Sequence, residues 1–111
     1  SENPMMKGNI AQMMQKAQRM QENMQKVQEE LAQTEVTGQA GGGAVKITLT
    51  GKFEARRVNI DPAVMADAEM LEDLMVAAIN DAVAKANEES SRRMAAVTAG
   101  MPLPPGLKLP F

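Results

Sequence analysis

With 111 residues and a formal net charge of −2, the chain is sized for one small domain. It has no His, no Cys and only two aromatic residues, Phe53 and Phe111. That excludes Ser-His-Asp and thiol catalysis, the usual zinc sites, redox dithiols and disulfides. Only carboxylate or lysine chemistry remains for an enzyme, and none is expected; nor is a cofactor, a metal or a small-molecule substrate.

No segment reaches the roughly 18 apolar residues of a membrane span, and none reads as a signal-peptide core. A cytoplasmic protein with no membrane partner is expected, and Ser1, in place of an initiator Met, is read as a processed or replaced start. Charge is spread unevenly. Residues 61–90 hold eight acids against Lys85 alone, while everything outside that block sums to +5. Surfaces of opposite sign are therefore expected in different parts of the fold.

The first element is a helix that starts near Met6 to Asn9 and runs to about Ala32. Ile10, Met13, Ala17, Met20, Met24, Val27 and Leu31 recur in alternating steps of three and four, a narrow heptad seam that needs a partner helix in this chain or in a second copy. Six of the eleven Met residues lie at or before Met24 and read as adaptable filler for such a seam. Lys16, Arg19, Asn23 and Lys26 share one flank of the helix; Gln15, Gln18, Glu22, Gln25 and Glu29 share the other. The basic flank is either an ordinary solvated face with Glu22–Lys26 as an i,i+4 pair, or a stripe for phosphates.

Next come a β-prone piece at Thr34–Thr37, a glycine-rich loop from Gly38 to Ala44, and a strand at Val45–Thr50 in which Val45, Ile47 and Leu49 alternate with polar residues. Gly51-Lys52 predicts a tight turn. In the return strand, Phe53 to Ile60, the apolar parity slips, which predicts a bulge or late start near Ala55. Arg56 and Arg57 are adjacent, so one of them is expected on the core side or at a subunit interface, snorkelling, paired with an acid of the second helix, or on nucleic acid.

Asp61-Pro62 stops the strand. Asp67 is the expected N-cap of a second helix, helical from Met70 to Val97, whose broad apolar face runs from Leu71 through Ala78, Ile79 and Ala82 to Ala86 and suits packing on a sheet. Beyond Ala86 the stripe thins, so the last turns are expected to project from the core and leave Arg92 and Arg93 for phosphate. Gly100 ends the helix, and the tail from Met101 to Phe111 predicts polyproline-like or irregular chain whose alternating apolar residues dock on something.

Two apparent sites are rejected. Gly38 and Gly43 have the outer spacing of a phosphate loop, but Ala44 and Val45 stand where Lys and Ser/Thr are needed, and the loop leads into a strand. Asp61, Asp67, Glu69, Glu72 and Asp73 form no 12-residue calcium loop.

Taken together, the Met/Gln-rich helix, Glu35-Val-Thr-Gly38, Val45-Lys-Ile-Thr-Leu-Thr-Gly51, Arg56-Arg57-Val-Asn-Ile-Asp-Pro62, Leu71-Glu-Asp-Leu74, Ala78-Ile-Asn-Asp-Ala82 and the closing Leu103-Pro-Pro-Gly-Leu-Lys-Leu-Pro-Phe111 resemble the YbaB/EbfC family of bacterial nucleoid-associated proteins over nearly the whole chain. Only the first residues depart from the family's usual start. The resemblance implies an α+β homodimer whose sheets and second helices form a central body, with long helices projecting like tweezers, and which binds double-stranded DNA with weak sequence preference.

The expected organisation is one domain over residues 1–111: a projecting helix (1–33), antiparallel strands (34–60), a helical part (61–99) and a Pro-rich tail (100–111). The expected function is non-enzymatic DNA binding in the nucleoid through phosphate contacts, with nucleoid organisation and, left open, gene regulation. Lys7, Lys16, Arg19, Lys26, Arg92 and Arg93 are the leading contact residues, followed by Arg56 and Arg57. The competing reading is a helical module that grips a replication or repair protein.

Overall fold

The computed structural model describes the backbone of residues 4–99 and the side chains of residues 8–99. The order is α1 (Pro4–Gln33), β1 (Glu35–Ala40), β2 (Val45–Thr50), β3 (Ala55–Ile60), a 3₁₀ turn at Pro62–Val64 and α2 (Ala68–Thr98). The expected α+β meander is present, as an antiparallel sheet in the order β1-β2-β3. The tail from Gly100 to Phe111 lies outside the described residues.

β1 extends to Ala40, three residues past its predicted end, and takes in Gly38. Glycine is a weak strand former, but this position requires it. Gly38 lies against α2, where a Cβ would overlap the backbone of Ala82 and the Ala78 carbonyl oxygen. Ala78, Ala82 and Ala86 are fully buried one helical turn apart, so small residues let helix and strand approach closely. Val45, Ile47 and Leu49 complete this core from β2. Gly41, Gly42 and Gly43 then turn the chain with three successive positive φ angles, a path that only glycine follows cheaply.

The parity slip in β3 is a bulge. Leu49 pairs with Ala55 and Thr48 with Arg57, which leaves Arg56 as the extra residue. Val58 and Ile60 thereby lie opposite Ile47 and Val45 on the helix side of the sheet. The turn before β3 is a three-residue loop rather than a two-residue one. Phe53 N–H donates to the Thr50 carbonyl (2.9 Å), and Phe53 itself is left-handed at φ 67°.

α2 is capped as predicted: Asp67 Oδ1 accepts from Met70 N–H at 3.1 Å. The expectation that its last turns stand clear of the core is corrected. α2 leaves the sheet but runs antiparallel along α1, with Arg93 against Glu30 and with Ala96 and Val97 lining one groove with Asn23 and Val27. Met94 is buried there. Half of the α1 seam thus finds its partner within the chain, and exposure falls along it from Met13 (68%) to Leu31 (1%). The result is an elongated molecule of 79 × 26 × 16 Å.

Candidate nucleic-acid interface

α1 is the projecting element, and its root is fixed at three points. The last carbonyls of a helix lack intrahelical partners. Here Glu30 O accepts from Thr34 N–H (2.9 Å) and Thr34 Oγ1 (2.8 Å), while Leu31 O accepts from Gly51 N–H at 3.0 Å. Arg56 Nη2 donates to Ala32 O at 3.4 Å, its positive charge set at the negative end of the helix dipole. A helix held this way presents its surface residues at fixed positions relative to the sheet.

The basic residues divide into two groups. Arg56 also pairs with Glu54 (3.3 Å), and Arg57 with Glu35 (2.8 Å). The Arg57–Glu35 bridge crosses β2 on the open face of the sheet, above buried Thr48, whose hydroxyl is 3.2 Å from that of Thr37. Because Arg56 is the bulge residue, neither arginine enters the core, and neither pairs with α2. Of the placements expected from the sequence, the pairing with an acid of the second helix is the one this corrects.

Arg92 and Arg93 are also engaged. Both reach Glu89, at 3.0 and 2.8 Å, and Arg93 Nη1 continues to Glu30 at 3.3 Å. The hydrogen bond from Arg93, then the charges of Arg92 and Arg93, hold the Glu89 carboxyl below its ordinary value against the opposing effect of burial. Arg93 is thus a tie between the helices, while Arg92 is more exposed and bound at one nitrogen.

Lys16, Arg19 and Lys26 are exposed on one flank of α1 and form no ion pair with any described residue. The side chain of Lys7 lies outside the described residues. Two further cations of this kind, which the sequence reading did not choose, are Lys46 on the open face of the sheet and Lys52 in the β2–β3 turn. Their polar neighbours gave no signal to separate them from any solvated lysine.

Three acids of the central block bind backbone N–H groups. Asp61 and Asp67 accept backbone N–H groups at Ala63 and Met70. Asp81 accepts Gln39 N–H at 2.9 Å, which with Lys85 holds its carboxyl below the ordinary value. Among the described residues no three acids converge on a common point that could hold a metal ion.

The profile of the YbaB/EbfC DNA-binding family matches residues 6–101, which include nearly all of α1, the sheet and all of α2. The chain belongs to this family. Among its relatives is a nucleoid-associated protein of Xanthomonas campestris, 63% identical over 106 residues, which spans 96% of this chain and all of the relative. Another is a nucleoid-associated protein of Xylella fastidiosa, 61% identical over 107 residues with the same coverage. The crystal structure of an uncharacterized protein from Helicobacter pylori shares the fold, with a TM-score of 0.63 at 21% identity over 83% of this chain and 92% of that one. No helix among the described residues is long and apolar enough to cross a membrane.

Proposed function

We propose that this YbaB/EbfC chain is a non-enzymatic homodimer that binds double-stranded DNA through phosphate contacts, with little sequence preference, and organises the nucleoid. One observation carries the reading: Lys16, Arg19 and Lys26 form a stripe about 15 Å long on a projecting helix, with no acid of the described chain engaging them. Lysines and arginines aimed at phosphate give affinity without reading bases. The scarcity of aromatic residues disfavours stacking on single strands. The names of the Xanthomonas and Xylella relatives support a nucleoid location in the cytoplasm.

Homodimerisation is supported by the side of the fold that the chain leaves uncovered. One flank of α2 is fastened to the outer edge of β1, through Asp81 to Gln39 N–H and through Lys85 Nζ to Thr37 O (3.0 Å). The opposite flank, with Val76 and Ile79 exposed, faces across the sheet toward β3, where Val58 is 49% exposed. An open strand edge beside an apolar valley is a surface for a second copy. Two copies bring six stripe cations to one duplex.

Fluorescence anisotropy of a labelled mixed-sequence duplex across a salt series tests the reading. Six phosphates neutralised at about 0.9 each predict a log–log slope of about −5. Absence of binding at low salt, or binding indifferent to salt, would overturn it and favour the protein-partner reading. Sedimentation of wild type against Val58→Lys and Ile79→Asp checks the dimer, with both variants expected as monomers.

A further inference from the structure

The seam of α1 is half satisfied. From Asn23 to Glu30 the helix lies along the end of α2, but Ile10 (54% exposed) and Met13 have no cover among the described residues. We infer that the tail of the same chain, residues 100–111, docks on this outer half of the seam. Because α2 runs antiparallel to α1, its last turn stands level with Asn23, and the chain leaves Ala99 at the place where the covered part of the seam ends. The twelve following residues, at about 3.1 Å each in extended polyproline geometry, reach about 37 Å. The α1 surface from Asn23 back to Ile10 is about 20 Å long.

The composition of the tail fits the surface. Met101, Leu103, Leu107, Leu109 and Phe111 supply apolar side chains, and Pro102, Pro104, Pro105 and Pro110 lower the entropy lost on docking. A second copy of the seam fits less well. The outer half holds under two heptads, short of the three to four that sustain a coiled coil. The tail would continue the line of α2 along the apolar side and leave the Lys16–Lys26 flank facing outward.

The chain has no Cys, so an introduced pair reports proximity without interference. In the full chain, Met13→Cys with Leu107→Cys is oxidised mildly, against a control of Gln15→Cys with Leu107→Cys on the opposite side of the helix. Mass spectrometry of mixed light and heavy chains separates links within a chain from links between chains. The expected result is an intrachain disulfide in the first pair and none in the control. In a second measurement, Leu107→Gln/Leu109→Gln should speed hydrogen exchange of the amides from Ile10 to Met20 about tenfold. Equal linking in both pairs, links only between chains, or unchanged exchange would overturn the inference.

Discussion

Arg93 Nη1 lies 3.3 Å from Glu30 Oε2, joining residues 63 apart in sequence and fixing the end of α2 to the projecting helix. The same guanidinium holds Glu89 at 2.8 Å. An arginine that the sequence offers as a candidate phosphate contact is here paired with two carboxylates, one on its own helix and one on α1, so its effects on helix anchoring and on DNA affinity call for separate measurements.

Charge reversal of the stripe should act on DNA alone. Lys16→Glu and Arg19→Glu should each reduce the salt slope by about 1.8 in a dimer, two phosphate contacts at about 0.9, with an unchanged melting temperature. Arg93→Glu should lower the melting temperature first, because it places a third acid beside Glu30 and Glu89. Anisotropy and thermal unfolding of the three variants make the comparison.

Gly38→Ala should cost about 3 kcal/mol or more, measured by urea unfolding at fixed protein concentration. The added methyl meets the backbone of α2 at Ala78 and Ala82, and backbone cannot rotate away as a side chain can.

Phe53→Gly should stabilise the protein by about 0.5–1 kcal/mol in the same assay. A left-handed non-glycine residue costs roughly 1–2 kcal/mol, part of which the greater chain entropy of unfolded glycine takes back. At 46% exposure the ring has limited packing to lose.

Stability should fall on acidification below the ordinary carboxylate range, about pH 4. Glu89 and Asp81 have lowered values in the fold: Glu89 through the hydrogen bond from Arg93 foremost, and Asp81 through Gln39 N–H and then Lys85. The unfolded chain therefore binds their protons at higher pH than the fold does. Their contribution is full above the unfolded values and is lost as pH drops through the folded ones. Thermal unfolding from pH 7 to pH 3 should show a shallower decline for Glu89→Gln than for wild type.

The helices, the cap at Asp67 and the bulge near Ala55 were legible because each is a local pattern: a period of 3.6, a side chain three residues from an orphan N–H, a break in alternation. Gly38 was misread as loop because glycine signals a turn locally, and its reason, the close approach of Ala78 and Ala82, lies some forty residues away. Of the expected contact residues, the α1 flank keeps its place as a candidate, since helical spacing alone puts Lys16, Arg19 and Lys26 on one side. The four arginines could not be sorted in the same way.

By itself the sequence determined that this is a small α+β chain without imidazole or thiol chemistry, with a seam demanding a partner and its acidity confined to the middle. These follow from composition and short-range periodicity. Tertiary structure decided which charges are paired within the fold. Arg57 meets Glu35 across a strand, Arg93 meets Glu30 across two helices, and Asp81 meets the edge of β1 at Gln39. Whether a charge finds an opposite charge within the fold depends on contacts between residues far apart in the chain.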